Sequence, residues 1–288
     1  MKRSTQVLGV AAIALAACTA LIWYAVMRVD HQGLLRVSFL DVGEGDAILI
    51  ESPNGARVLI DGGPDDSVLR QLGTELLPWD RRIDAVIATH PDKDHSAGLI
   101  SVLERYDVPL VMQSSVEGST PEWRAFEQEI ADRSMKKVIA QRGQVMRMGD
   151  VSLTVLSPDR PLPHADTNTA CVVTRLTYRD TAFVFSCDAP QAVEKYLAAL
   201  DGASLHADVL KAGHHGSKTS SSPYFVGAVA PAYVVYSRGC DNSYGFPNTE
   251  TVATYARFGV TALDTCTDGT IHFVSDGVVA RQIGRAHV

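Results

Sequence analysis

The chain has 288 residues, of which 46% are hydrophobic and 20% charged, and its formal net charge is −7. This length suffices for one large α/β domain or two small ones with a full hydrophobic core. The acidic balance argues against tight, sequence-independent binding of nucleic acid through a broad basic surface. It leaves nucleic acid open as a substrate, because a metal centre supplies its own positive charge.

An uncharged, apolar segment occupies residues 7–27 and is long enough to span a bilayer as a helix. Lys2 and Arg3 precede it, which favours a cytoplasmic N-terminus and an exported remainder. A cleaved signal peptide is an alternative, and Leu-Ala-Ala-Cys at residues 15–18 resembles a lipoprotein cleavage box. We favour an uncleaved, single-pass anchor in a bacterial cell membrane, because the apolar run continues beyond Cys18.

Residues 35–63 have the pattern of a small β-sheet with acidic turns at its ends. Asn54-Gly55 is a strong hairpin signal between two of its strands. Asp46 and Asp61 each lie beside glycines at a strand end, where they could cap turns or line a site. The predicted strands are residues 37–40, 47–51 and 57–60.

A cluster of potential metal ligands follows a short apolar strand at residues 83–88. A helix start is predicted near Ala97, so the ligands would lie in the connecting loop. Mixed imidazole and carboxylate donors suit zinc or manganese better than calcium, which prefers oxygen ligands. The four candidate ligands are His90, Asp92, Asp94 and His95.

Strands and helices alternate after this cluster, and no repeat interrupts them. We therefore predict two regions, an anchor at residues 1–30 and a single α/β domain at residues 31–288. A proline-rich loop is predicted at residues 157–169. The predicted helices are residues 67–77, 121–133 and 191–199, and the predicted strands are residues 151–156, 171–177, 181–186, 207–211, 233–237 and 260–263.

Two further strand ends carry ligand-type residues. Asp188 follows the strand at residues 181–186, and His214 and His215 follow the strand at residues 207–211. A carboxylate can bridge two metal ions about 4 Å apart and so build a binuclear hydrolytic centre. The chain has neither a G-x-S-x-G elbow nor a Walker loop, so metal-dependent hydrolysis is the chemistry that the sequence favours.

Four ordered motifs carry a family resemblance: LDVGEGDA at residues 40–47, LIDGG at 59–63, THPDKDH at 89–95 and LKAGHHGS at 210–217. Together they resemble the metallo-β-lactamase superfamily, and within it the C-terminal hydrolase domain of ComEC-type DNA-uptake proteins and its stand-alone relatives. The resemblance implies an αββα sandwich with the site along one edge. The metal ligands that it implies are His90 and Asp92 for one ion, Asp94, His95 and His215 for the other, and Asp188 as the bridge.

The same resemblance suggests residues that support these ligands or contact substrate. Asp61 matches the first acidic motif of the superfamily, and His214 would lie beside the metals on the substrate side. Asn168 falls where the superfamily often has another histidine, which implies a weakly held first metal. The remaining supporting or substrate-contacting candidates are Asp46, Lys211, Ser217 and Tyr244.

Three residues depart from the pattern of these relatives. Glu44 stands where glutamine is usual, and Cys187 replaces the usual glycine before Asp188. Phe246 takes the place of a frequent histidine near the site mouth. None of the three removes an implied metal ligand.

The cysteines outside the apolar segment could form a disulfide or remain free thiols. Cys240 and Cys266 each follow a predicted strand, and an exported domain permits a bridge between them. Buried free thiols are favoured for Cys171 and Cys187.

The leading hypothesis is a membrane-anchored hydrolase with two Zn or Mn ions, a phosphodiesterase or nuclease in which metal-bound water attacks phosphorus. Asp94 or Asp188 would orient the water or take its proton. The expected substrate is a phosphodiester, with single-stranded DNA as the family-like example. The alternatives are hydrolysis of another ester or a lactam on the same metals, and a catalytically weak metal-binding module for DNA or an envelope partner.

Overall fold

The computed structural model of the chain describes residues 2–29 and 33–284. The boundary predicted between residues 30 and 31 lies outside the described residues. The helices in the described part are α1 (Lys2–Val29), α2 (Ser67–Glu75), α3 (Lys93–Arg105), α4 (Pro121–Asp132), α5 (Gln191–Asp201), α6 (Pro223–Val229), α7 (Thr249–Arg257) and α8 (Thr265–Asp268).

The strands of the described residues form two sheets. The first sheet has the order β15-β14-β1-β2-β3-β4-β5-β6 and the second has the order β13-β12-β11-β10-β9-β8-β7. The bounds are β1 (Leu35–Phe39), β2 (Ile48–Glu51), β3 (Arg57–Ile60), β4 (Ala85–Ala88), β5 (Leu110–Gln113), β6 (Lys136–Ile139), β7 (Val145–Met148), β8 (Val151–Ser157), β9 (Val173–Tyr178), β10 (Thr181–Phe185), β11 (Val209–Lys211), β12 (Tyr233–Tyr236), β13 (Thr261–Asp264), β14 (Ile271–Ser275) and β15 (Ala280–Ile283).

Three hydrophobic layers hold these elements together. The central layer lies between the sheets, where Phe39 and Phe273 of the first sheet meet Phe183 and Phe185 of the second. A second layer packs α2, α3 and α4 on the outer face of the first sheet. A third packs α5, α6 and α7 on the outer face of the second. The predicted αββα sandwich is therefore confirmed.

Parallel strands in both sheets bring the ligand-bearing loops to one edge. Strands β3 to β6 pair in parallel, and so do β10 to β13. Because the carboxyl ends of parallel strands lie at the same edge of a sheet, the loops after β3, β4, β10, β11 and β12 converge there.

The local predictions are confirmed, with one correction. The Asn54-Gly55 turn joins antiparallel β2 and β3, and Gly55 has a φ of +83°. Helix α3 begins at Lys93, inside the ligand cluster, whereas the sequence placed the cluster in a loop. Asp92 occupies the extended N-cap position without a capping hydrogen bond from its side chain, and the first helical turn holds the candidate ligands that follow it.

The apolar part of α1 is exposed along the whole of Gln6–Tyr24 and has the length and composition of a membrane span. An N-terminal signal sequence shares these properties. An exposed apolar helix of this length fits membrane anchoring.

The structure settles the state of the cysteines in its described part. A disulfide joins Cys240 to Cys266 and so ties the loop after β12 to α8. The buried residues Cys171 and Cys187 are free thiols, as predicted.

A buried glutamate fixes the chain where it enters α6, directly after the His214-His215 loop. Glu194 accepts hydrogen bonds from the backbone N–H groups of Ser221 and Ser222, at 2.7 and 2.6 Å. Burial raises the pKa of the Glu194 carboxyl from 4.5 to about 7, although these bonds favour the ionised form. Between these values the folded state keeps a proton that the unfolded state releases. The free energy of unfolding is therefore expected to fall by up to about 3 kcal/mol as the pH rises through this range.

The pH dependence of urea unfolding for the wild type and for Glu194→Gln tests this expectation. In the variant, the free energy of unfolding should no longer show the fall that Glu194 causes between pH 4.5 and about 7. Glu250→Gln, an exposed glutamate at the start of α7, is the matched control and should keep the wild-type slope. Identical slopes in all three proteins would contradict the assignment.

Candidate metal centre

Three connections at the shared sheet edge supply the candidate ligands of the centre. His90 follows β4, and Asp94 and His95 lie in the first turn of α3. Asp188 follows β10, and His215 lies in a 3₁₀ turn directly after β11. The structure therefore brings together the ligands that the sequence placed at separate strand ends.

Two buried imidazoles face each other across this centre. The Nδ1 atom of His95 lies 2.8 Å from the Asp61 carboxylate, and that of His215 lies 2.8 Å from the Ser237 carbonyl oxygen. Both partners are acceptors, so each Nδ1 carries a proton and each Nε2 of a neutral ring presents a lone pair. The two Nε2 atoms are 3.2 Å apart. Two ring nitrogens this close hold either a proton or a metal ion between them.

His90 has the same orientation through a different support. The Thr89 hydroxyl donates to Asp61 Oδ2 at 2.7 Å, so it must accept the bond from His90 Nδ1 at 3.0 Å. The Nε2 atom of His90 is buried and has no hydrogen-bond partner among the described residues. A buried ring nitrogen without a partner is expected where a metal ion binds, because an unpaired buried polar atom otherwise destabilises the fold.

Carboxylate oxygens complete the donor set. Asp188 Oδ2 lies 3.3 Å from His95 Nε2 and 3.4 Å from His215 Nε2. Asp94 Oδ2 lies 3.3 Å from the same atom of His215. Asp92 Oδ2 lies 3.5 Å from His90 Nε2. Imidazole nitrogens next to carboxylate oxygens fit a divalent metal ion such as zinc or manganese.

Asp46 supports the histidines from behind. Together with His95, Asp188 and His215 it forms a buried group whose donor atoms lie within 4.8 Å of one another. Its own oxygens, however, approach the Nδ1 atoms of His95 and His215, at 3.8 and 3.6 Å, rather than Nε2. Its Oδ2 is paired with Lys211 Nζ at 2.5 Å. Asp46 therefore orients the rings and holds Lys211, and is not placed as a ligand.

Lys211 also neutralises the bridging candidate. Its Nζ lies 3.4 Å from Asp188 Oδ1 and donates to the Cys187 carbonyl oxygen at 3.1 Å. Burial disfavours the charged amine, but the carboxylates of Asp46 and Asp188 outweigh it and raise the pKa of Lys211. The lysine stays charged and leaves Asp188 Oδ2 to face the histidines.

The field of the centre favours positive charge at the imidazoles. Burial lowers the pKa of His95, but the carboxylates of Asp188, Asp94 and Asp61 reverse this and hold it well above its usual value. The pKa of His215 is raised in the same way, chiefly by Asp188. Cations are therefore stabilised where the Nε2 atoms point.

Four residues of the centre have left-handed backbone conformations. The φ angles of Asp61, Cys187, His214 and His215 are 58°, 51°, 49° and 54°. Non-glycine residues adopt this region at a cost of about 1 kcal/mol or more, and such strain clusters at functional sites. A glycine at position 187 would avoid this strain, whereas the cysteine adds a contact of 3.4 Å between its Sγ and His90 Nδ1.

The other predicted residues surround the centre. His214 is partly exposed, with its Nε2 at 3.7 Å from Asp188 Oδ2. Ser217 shares a hydrogen bond with Thr219, whose hydroxyl lies 3.3 Å from His214 Nδ1. Asn168 has a buried Oδ1 atom without a hydrogen-bond partner among the described residues, and lies on the loop that contacts Asp92.

Two of the departures, Glu44 and Phe246, lie on the rim of the centre together with Tyr244. The Glu44 side chain accepts a hydrogen bond from the Gly239 N–H at 2.9 Å and so joins two rim loops. The ring of Phe246 lies 5.6 Å from that of His214, and Tyr244 is exposed beside it.

Sequence reasoning missed two supporting residues, Thr89 and Ser237. Thr89 directly precedes the first histidine in the quoted motif, which was a usable signal. Ser237 was predicted only as the end of a strand, and nothing in the sequence links it to His215.

Gly45 lies in the turn before Asp46, where the backbone packs closely against the first turn of α3. A Cβ built on Gly45 would lie 1.9 Å from the Asp94 carbonyl oxygen, and the φ of Gly45 is +117°. Gly45→Ala is expected to displace Asp94, to destabilise the fold by about 3 kcal/mol and to lower metal content. Urea unfolding and elemental analysis of the purified protein measure both effects.

Gly43→Ala is the matched control. Its φ is +80°, but among the described residues no heavy atom lies within 4 Å of the added Cβ. It should cost only about 1 kcal/mol and keep its metal. Equal effects of the two substitutions would contradict the close approach of Gly45 to Asp94.

Comparisons with known proteins agree with this geometry. The profile of the metallo-beta-lactamase superfamily matches residues 40–228. ComE operon protein 3 of Bacillus subtilis is 28% identical over 254 residues, covering 82% of this chain and 32% of that protein. Competence protein ComA of Neisseria gonorrhoeae is 29% identical over 243 residues, covering 82% of this chain and 32% of that protein. This chain spans about a third of the length of these relatives.

Solved structures share the fold. The metallo-beta-lactamase fold protein YhfI of Bacillus subtilis has a TM-score of 0.58 at 15% identity, covering 83% of this chain and 99% of that chain. CmlA of Streptomyces venezuelae, a diiron beta-hydroxylase, has a TM-score of 0.53 at 13% identity, covering 87% of this chain and 54% of that chain. At these identities the likeness concerns the fold alone.

Proposed function

Because this chain belongs to the metallo-beta-lactamase superfamily, we propose that it is a membrane-anchored phosphodiesterase that uses two divalent metal ions, Zn or Mn. One observation carries the proposal: the Nε2 atoms of His90, His95 and His215 are buried, oriented by acceptors on Nδ1, and directed at carboxylate oxygens. A purely structural cluster would pair these atoms with hydrogen-bond donors.

The donor atoms divide into two groups. His90 and Asp92 would hold one ion, and the unpartnered Oδ1 of Asn168 lies on the neighbouring loop. We assign the second ion to the other side of the centre, where Asp188 Oδ2 lies 3.3 and 3.4 Å from the Nε2 atoms of His95 and His215. The family resemblance supports Asp188 as the carboxylate that would be shared with the first ion. The ligands of the second ion would be Asp94, His95 and His215.

Divalent ions held there would polarise a phosphoryl oxygen and bring the pKa of a bound water near neutrality. The chain supplies the proton acceptor, and Asp94 suits that role better than Asp188. The Asp94 side chain is 35% exposed, whereas that of Asp188 is 3% exposed and tied to Lys211. Asp94 would orient the attacking water and take its proton. His214, on the solvent side, would contact the substrate or the leaving group.

Two observations support the choice of substrate class. The relatives are competence proteins, and the acidic composition of the chain argues against a broad basic surface. We infer that the substrate is a phosphodiester bound mainly through the metal ions and not through many basic side chains, with single-stranded DNA as the leading candidate. The catalytic domain, residues 31–288, would lie outside the cytoplasm, since Lys2 and Arg3 precede the apolar segment of α1.

The test uses the full chain in detergent. Metal per chain is measured by elemental analysis, and hydrolysis is assayed on bis-p-nitrophenyl phosphate, single-stranded DNA and a chromogenic β-lactam with added Mn or Zn. About two metals per chain with phosphodiester turnover is the expected result. Turnover of the β-lactam alone would assign the same centre to another bond, and metal without any turnover would indicate a binding module. A chain that binds no metal after reconstitution would refute the proposal.

A further inference from the structure

An aromatic pair lies at the mouth of the centre. The rings of Tyr244 and Phe246 are stacked, with centroids 5.3 Å apart and an interplanar angle of 17°. Phe246 also packs edge-to-face on His214, with 5.6 Å between the ring centroids. Tyr244 is 67% exposed. One stack therefore leads from a histidine of the centre to an aromatic face that is open to solvent.

The loop that carries this pair is held by side-chain hydrogen bonds. The Asn242 amide group donates to the carbonyl oxygens of Gly239 and Phe246 and accepts from the Phe246 N–H at 2.8 Å. Asn248 accepts from the Lys218 N–H at 2.8 Å and so joins the loop to the segment after His215. The disulfide described above anchors the start of the loop. An exposed ring on a fixed loop binds a planar ligand with little loss of conformational entropy.

We propose that the exposed face of Tyr244, backed by Phe246, binds a nucleobase of the strand whose phosphodiester lies at the metal centre. This inference rests on the proposed phosphodiesterase function and specifies a base-bearing polymer as its substrate. Stacking binds every base through its π face and needs no positive charge. This chain has a formal net charge of −7 and so no excess of cations to bind the phosphates of a strand. Base stacking therefore supplies binding affinity that ionic contacts do not.

Phe246 gives this platform its apolar character. A histidine at this position would add a polar ring beside His214. Phenylalanine instead extends an apolar surface from His214 to Tyr244. Phe246 thus favours binding of a nucleobase over a polar contact with the phosphate.

The test compares the binding of two labelled oligonucleotides to the full chain in detergent by fluorescence anisotropy. One is a phosphorothioate oligothymidylate, which resists cleavage, and the other has the same backbone without bases. Tyr244→Ala is expected to weaken binding of the oligothymidylate about tenfold and to leave the abasic strand unchanged. Tyr244→Phe, which keeps the ring, should bind like the wild type. Tyr224→Ala removes an equally exposed tyrosine on α6 and is the matched control.

The outcomes separate this inference from the proposed function. Base-dependent binding without cleavage of any phosphodiester would refute the proposed function and leave the platform standing. Equal weakening of both strands by Tyr244→Ala would refute the platform, because it would indicate a backbone contact. The platform is likewise refuted if Tyr244→Ala weakens neither strand, if neither strand binds the wild type, or if the variant loses only binding to phospholipid vesicles.

Discussion

Asp188→Asn is expected to lower phosphodiester turnover by about 10³-fold and to reduce metal content below one ion per chain. The Asp188 carboxylate is 2% exposed and offers Oδ2 to both His95 and His215. Asparagine keeps the shape and the contact with Lys211, but it lacks the charge and places an amide N–H₂ where a ligand oxygen is required. Elemental analysis and steady-state assays on bis-p-nitrophenyl phosphate measure the two effects.

Asp150→Asn is the control for this substitution. The Asp150 side chain is 70% exposed and pairs only at 3.4 Å with Arg179. It should keep both metals and full activity, because exposed ion pairs contribute little. Circular dichroism would verify that both variants are folded. Full metal content and a rate within tenfold of the wild type in Asp188→Asn would contradict the bridging role.

Lys211→Met is expected to destabilise the metal-free protein by about 3–5 kcal/mol, the cost of leaving buried carboxylates without their partner. Lys211 is fully buried, with its Nζ at 2.5 Å from Asp46 Oδ2 and 3.4 Å from Asp188 Oδ1. Bound metal ions would supply part of the missing charge, so the loss should be smaller in metal-loaded protein. Added metal should therefore raise the urea midpoint of the variant more than that of the wild type.

Lys137→Met provides the comparison for Lys211. The Lys137 side chain is 42% exposed and pairs with Glu127 at 2.7 Å on the surface. Its removal should cost less than about 1 kcal/mol, with or without metal. Equal destabilisation of Lys211→Met with metal and with chelator would show that the lysine only fills space, and would contradict its role in charge balance.

The sequence by itself determined the local structure around the centre. Alternating and continuous apolar runs predicted most strands near the site, and Asn54-Gly55 predicted the β2–β3 hairpin, because such signals act over a few residues. The ordered motifs identified the superfamily and the sandwich. The ligand types were also readable, since His90, Asp188 and His215 each follow a strand end.

Helix α3 shows the limit of that local reading. The sequence placed Asp94 and His95 in a loop, yet they lie in the first helical turn, after Asp92 at the N-cap position. There the Asp92 side chain accepts from the Thr167 hydroxyl at 3.2 Å instead of capping the helix. A contact between segments this far apart in the chain leaves no trace in local periodicity.

Only the tertiary structure decided how the centre is charged and oriented. The pairing of Asp46 with Lys211 joins the first sheet to the second. The Ser237 carbonyl that orients His215 directly follows β12, which pairs in parallel with β11. The stack of Tyr244 on Phe246 likewise depends on the fold of its loop. Such contacts follow from strand order and sheet packing, which are set by the whole core. The sequence therefore indicated the candidate ligands, and the fold determined their hydrogen-bond partners and exposure.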